Sequence, residues 1–98
     1  FAVTWHPTEY YTECCVKGCS KTTGIQAVME FYRLPMEQSV AIGDSENDLD
    51  MLQSAGIGVV MGQAREEIKA VADIITDSVE KDGAATAMER IVAGDIVI

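Results

Sequence analysis

Residues 43–50 read "GDSENDLD", with carboxylates at Asp44, Glu46, Asp48 and Asp50 and an amide at Asn47. Acids gathered within one turn can do two kinds of work. They can favour the start of a helix, where unpaired N–H groups and the macrodipole attract negative charge. They can also hold a hard divalent cation such as Mg²⁺, which takes a few protein oxygens and keeps waters and phosphate oxygens in its shell. Ser45 and Asp48 have the spacing of a capping box, which accounts for Ser45, Glu46 and Asp48 on structural grounds alone. It accounts less well for Asp44 and Asn47. A calcium loop of the EF-hand kind is excluded, because Leu49 stands where a glycine is required and Ala55 where a bidentate glutamate is required.

The element in front of this turn gives the metal reading its weight. "SVAI" (39–42) is a short continuous apolar run, the pattern of a strand covered on both faces. Asp44 then falls just beyond the carboxyl end of that strand, where open α/β sheets bind ligands. Gly43 removes side-chain bulk at the same point. Asp44 is the candidate ligand for Mg²⁺, with Asn47 and Asp48 orienting it or binding its waters. Residue chemistry alone leaves the capping and metal readings both standing.

Around the turn the hydrophobic periodicity alternates. Ile25, Val28, Met29 and Tyr32 recur at helical spacing and predict a helix ending before Pro35. A second helix is expected from about Ser45 to Ala55, with Leu49 and Leu52 inward. "GIGVVM" predicts the next strand, and Ala64, Ile68, Val71 and Ala72 a third helix. "DIIT" predicts another strand, and Ala84, Met88, Ile91 and Val92 stripe a last helix. Such alternation is half of a doubly wound α/β parallel sheet with flanking helices. Residues 1–16 differ. "FAVTW" and "EYYTECCV" flank "HPT" and predict an antiparallel hairpin or two edge strands. "KGCSK" (17–21) is the expected boundary between the two regions.

Composition sets the outer limits. The chain has 98 residues, enough for one small domain, and 48% of them are apolar. Sixteen acids against seven Lys and Arg give a net charge of −9, which disfavours a nucleic-acid partner. A small phosphorylated ligand remains compatible with that charge, because a bound cation inverts the local field. No run approaches the ~20 apolar residues of a membrane span. Cys14, Cys15 and Cys19 lack zinc spacing and are expected as reduced thiols of a cytoplasmic protein.

"GDSENDLDML" resembles the fourth motif of the haloacid dehalogenase superfamily, in the GDxxND form of Cof-type (class IIB) phosphatases. "GCSKTTGIQAV" resembles the third motif, and "GIGVVMGQAREEIKAVADIITDSVEKDGAATAME" is similar to the stretch that usually follows the fourth. The resemblance covers residues 17 to about 92. It implies a Rossmann-like core and a Mg²⁺-dependent phosphatase of small phosphomonoesters, such as sugar phosphates, working through an aspartyl phosphate. Lys21 would then be the third-motif lysine that neutralises the nucleophile and the phosphoryl group. Asp44 would be the metal ligand, and Asn47 and Asp48 would support the metal and the lysine, with Asp48 in both the catalytic and the metal set. Without the family's motif context, Lys21 would read as a solvated surface residue. Lys17 lacks the Ser-Lys position and keeps that reading.

The family's DxDGT nucleophile motif and its second motif do not occur in these residues. Asp48-Leu49-Asp50 is the only D-x-D, and it leads into Met-Leu on an expected helix. Residues 1–16 are therefore expected to be the last strands and linker of a cap domain, and 17–98 the C-terminal part of the core. His6, Trp5 and Tyr10 are read as turn, core or edge residues. Gln63 stands where the family often has Asn, and Thr22 where it usually has a small residue. The chain alone is expected to be inactive, with exposed sheet edge and apolar face that favour self-association or complementation by the missing N-terminal half. The competing expectation is a catalytically silent domain that binds a divalent cation or packs against a partner.

Overall fold

The computed structural model describes residues 20–96 in full and, of the segment before them, the backbone of residues 2–5 and 12–15. His6, Tyr10, Lys17 and Cys19 lie outside the described residues, as do the side chains of Trp5, Cys14 and Cys15. Strands β1 (Ala2–Trp5) and β2 (Thr12–Cys15) pair antiparallel, with Ala2 opposite Cys15 and Trp5 opposite Thr12. They form a sheet of their own, as the two alternating stretches predict.

The second sheet holds β3 (Val40–Gly43), β4 (Ile57–Val60) and β5 (Ile74–Ile75) in that order, all parallel. Helix α1 (Lys21–Phe31) precedes it. Helices α2 (Leu49–Ser54), α3 (Glu66–Lys69) and α4 (Gly83–Ala93) follow β3, β4 and β5 in turn. This is the α/β alternation that the periodicity predicts. Parallel pairing places the carboxyl ends of all three strands on one edge, so Asp44, Gln63 and the turn after Thr76 come out together.

The core is small and centred on β4, whose Val59 and Val60 are fully buried. Ala41, Leu52, Val60 and Ile68 cluster there, and Leu49, Met51, Ala64, Val71 and Ala72 pack against them. Helix α3 is one turn, shorter than its apolar stripe predicts. Ala64 N, Val71 N and Ala72 N instead donate to carbonyls three residues back, so its flanks are tight turns. The stripe still marks the buried face, because Ile68 is fully buried and the other three are half-buried. The expected second helix likewise opens as a 3₁₀ turn (Glu46–Asp48) before α2 begins.

The outer helices depart further from expectation. Val28 and Tyr32, on and just after α1, and Met88 and Val92 on α4 belong to the apolar stripes that predict these helices, yet they are exposed. Phe31 and Leu34 join them, and Phe31 meets Tyr32 edge-on at 5.1 Å. Three strands offer too little surface to cover both helices. α1 ends with Arg33 in the left-handed region, at φ 58°, and Leu34 N donates back to Met29 O at 2.9 Å.

The "KDG" sequence has a backbone cause. Asp82 adopts the left-handed conformation at φ 55° and ψ 43°, and Gly83 opens α4 behind it. A Cβ on Gly83 would lie 1.8 Å from the carbonyl oxygen of Asp77, which itself accepts from Gly62 N. Thr76 Oγ1 donates to Gly83 O at 2.8 Å inside this closure. Gly83→Ala is therefore expected to lower stability by about 2–4 kcal/mol. Urea unfolding of the two proteins measures it, and a loss below about 0.5 kcal/mol would show that the Asp77 turn yields freely.

Candidate active site at the carboxyl edge of the sheet

Asp48 is the most deeply buried acid of the acidic turn, 3% exposed. Its Oδ1 accepts from Lys21 Nζ at 2.5 Å. Its Oδ2 accepts from the backbone N–H groups of Asp44 at 3.1 Å and Ser45 at 3.3 Å, and lies 3.2 Å from Ser45 Oγ. Ser45 also donates to Asn47 Oδ1. The capping box expected from Ser45 and Asp48 is present. It is more than a cap, because the same carboxylate that closes the turn also holds a lysine from 27 residues away.

Close approach makes this possible. A Cβ on Gly43 would sit 2.8 Å from Asp48 Cβ and Oδ2, so only glycine lets the side chain fold back against the end of β3. Lys21 is brought from the other side by α1. Ser20 caps that helix, accepting from Thr23 N at 3.2 Å, while Thr23 Oγ1 accepts from Ser20 N at 2.8 Å. Lys21 is thus in the first helical turn, where the macrodipole disfavours a cation and no acid is present. The local helix gives it no support, and Asp48 does.

Burial pushes the Asp48 carboxyl up, but the Lys21 hydrogen bond and the backbone donors at Asp44 and Ser45 outweigh it and hold its pKa below the ordinary 3.8. Lys21 keeps about half of its side chain exposed, so its ammonium is held without being enclosed. An open groove of about 510 Å³ leads away from it, lined by Gly24, Ile25, Val28, Met29 and Met51.

Asp44 lies exposed beyond β3. Its Oδ2 accepts from Gln63 Nε2 at 3.0 Å, and among the described residues nothing bonds Oδ1. Glu46, one turn on, pairs with Arg65, which also reaches Glu67 at 3.2 Å. The structure therefore gathers Lys21, Asp44, Asn47 and Asp48 at one sheet edge. Both Asp48 oxygens are taken up there, one by Lys21 and the other by the turn. Two contributors were not singled out by residue chemistry. Gln63 was noted only as a family departure, and Arg65 carried no signal beyond its charge.

Among the described residues, no group of three or more His, Cys, Asp or Glu gathers to hold a metal ion. Mg²⁺ is commonly held by one or two carboxylates, with water and phosphate filling the rest of its octahedron. The exposed Asp44, whose Oδ1 accepts nothing among the described residues, fits that kind of partial protein site.

A model of haloacid dehalogenase-like hydrolases matches residues 2–88. The chain belongs to the haloacid dehalogenase-like hydrolase family. It is 38% identical over 85 residues to the 5-amino-6-(5-phospho-D-ribitylamino)uracil phosphatase YitU of Bacillus subtilis, covering 87% of this chain and 30% of that protein. The phosphatase BT1666 of Bacteroides thetaiotaomicron, from the same superfamily, superposes with a TM-score of 0.79 at 40% identity, covering 91% of this chain and 33% of that one. The subclass IIB sugar phosphatase BT4131 gives 0.79 at 35% identity, covering 92% and 34%. The chain thus spans about a third of the length of these relatives. The haloacid dehalogenase-like, Rossmannoid character read from the motifs holds, as does the likeness to subclass IIB phosphatases.

Because the folded-state pKa of Asp48 is depressed, its contribution to stability is full above the unfolded value and is lost as pH falls through the folded one. Urea midpoints measured from pH 7 downward are expected to fall more steeply below about pH 4 in the wild type than in Asp48→Asn. Parallel curves would show that burial cancels what Lys21 and the backbone donors contribute to the carboxylate on folding.

Proposed function

We infer that this chain carries the lysine and metal-ligand half of a Mg²⁺-dependent phosphatase site acting on small phosphomonoesters. The observation that carries the reading is the 2.5 Å contact of Lys21 Nζ with the buried Asp48, in the same turn as the exposed Asp44 at the carboxyl edge of the sheet. Named phosphatases among the relatives support it, and they act on different compounds, so the shared chemistry is the phosphomonoester.

In this reading Lys21 binds the phosphoryl group as a compact positive charge, and Asp48 fixes where that charge sits. Asp44 offers Oδ1 to the cation, and Asp48 adds a second negative charge to that side of the site. Asn47 orients the acidic turn and meets substrate at its rim. Mg²⁺, when bound, draws charge from the phosphoryl oxygens. The nucleophile is an aspartate outside these residues, which takes the phosphoryl group and releases it to water through an aspartyl phosphate. The 98-residue chain alone should therefore show no turnover.

A second reading has its own support. Exposed Val28, Phe31, Tyr32 and Val92, with the apolar groove beside Lys21, suit a chain that packs against a partner and is itself silent. Self-association, or complementation by the rest of a larger phosphatase, would cover those faces.

Hydrolysis of a generic aryl phosphate by the longest product of the gene, with and without Mg²⁺, separates the readings. The phosphatase reading predicts Mg²⁺-dependent turnover that falls by about a hundredfold or more in Lys21→Ala or Asp44→Ala. A longest product inert under every condition would favour the silent domain.

A further inference from the structure

Gln63 follows Met61-Gly62 beyond the end of β4, and its side chain contacts two other loops of that edge. Nε2 donates to Asp44 Oδ2 at 3.0 Å, and Oε1 accepts from Val79 N at 2.9 Å. A primary amide has a donor end and an acceptor end, and here the partners dictate which is which. The Asp44 carboxylate only accepts, and the Val79 N–H only donates. Turning the amide over would break both bonds, so Val79 aims the Gln63 donor at Asp44. That anchor is itself fixed, because the turn before α4 is closed by Lys81 N and Gly83 N donating to Ser78 O. The consequence falls on the exposed Asp44 carboxylate, whose Oδ2 is occupied while Oδ1 accepts nothing among the described residues. Donors of this kind orient metal-binding carboxylates and strengthen their binding without touching the ion.

We propose that Gln63 is a positioning residue for the cation, locking the Asp44 carboxylate with Oδ1 presented to Mg²⁺. The proposal rests on the reading of Asp44 as the metal ligand. The neutral charge of Gln63 does not announce that role, and the family resemblance marks it only as a departure from Asn.

The test is calorimetric titration of Mg²⁺ into the longest product of the gene, as wild type, Asp44→Asn and Gln63→Met. Methionine keeps the length of glutamine and offers neither donor nor strong acceptor. Gln63→Met is expected to raise the Mg²⁺ Kd about tenfold. A residue that served only the fold would instead lower the thermal midpoint of the Mg²⁺-free protein and leave Kd unchanged. If Asp44→Asn abolishes binding while Gln63→Met stays within about twofold of wild type, the positioning role is wrong and the metal reading stands. Binding that survives Asp44→Asn overturns both. Gln63 is exposed, and Gln63→Ser supplies the same comparison should methionine disturb the loop.

Discussion

At 3% exposure, the Asp48 carboxylate stays ionised only if protein donors replace the water it has lost. The donors come from two places. Backbone N–H groups of Asp44 and Ser45 hold one oxygen, and Lys21 holds the other. The first set shapes the turn after β3, and the second ties α1 to it. Removing either would leave charge buried without a partner, which costs more than the pair itself contributes. Asp44 projects from a turn that Asp48 closes, and Lys21 is held where its own helix dipole would not favour it.

The sheet supplies the frame for that contact. Three parallel strands bring three loops to one edge, and each loop gives one element of the site: Asp44 after β3, Gln63 after β4, and the Val79 turn after β5. Glycine sets the tolerances. Gly43 allows Asp48 to fold against β3, and Gly83 allows the last turn to close on Asp77. The exposed apolar residues of α1 and α4 mark where the frame is incomplete within these residues. They fit a chain spanning about a third of the relatives' length.

Much of this was legible in sequence because its causes are local. "SVAI" announces a buried strand, Ser45 and Asp48 announce a cap, and Ile68 marks a buried helical face even though α3 is one turn long. What was illegible depends on distance. Lys21 reads as a surface lysine until Asp48, 27 residues later, is folded against it, and only the family resemblance singled it out. The spacing of Val28, Tyr32, Met88 and Val92 marks an apolar face correctly but cannot say whether anything covers it. Gln63 is neutral and exposed, so its two hydrogen bonds exist only once three loops meet.

Lys21 and Asp48 act as one unit, tying α1 to the turn after β3. A double-mutant cycle on folding stability, with Lys21→Met, Asp48→Asn and the pair together, measures this directly. A coupling of about 1 kcal/mol is expected at neutral pH, modest because Lys21 is half exposed. Losses that add to within about 0.3 kcal/mol would contradict it, leaving Asp48 a turn-closing acid and Lys21 an unattached surface charge.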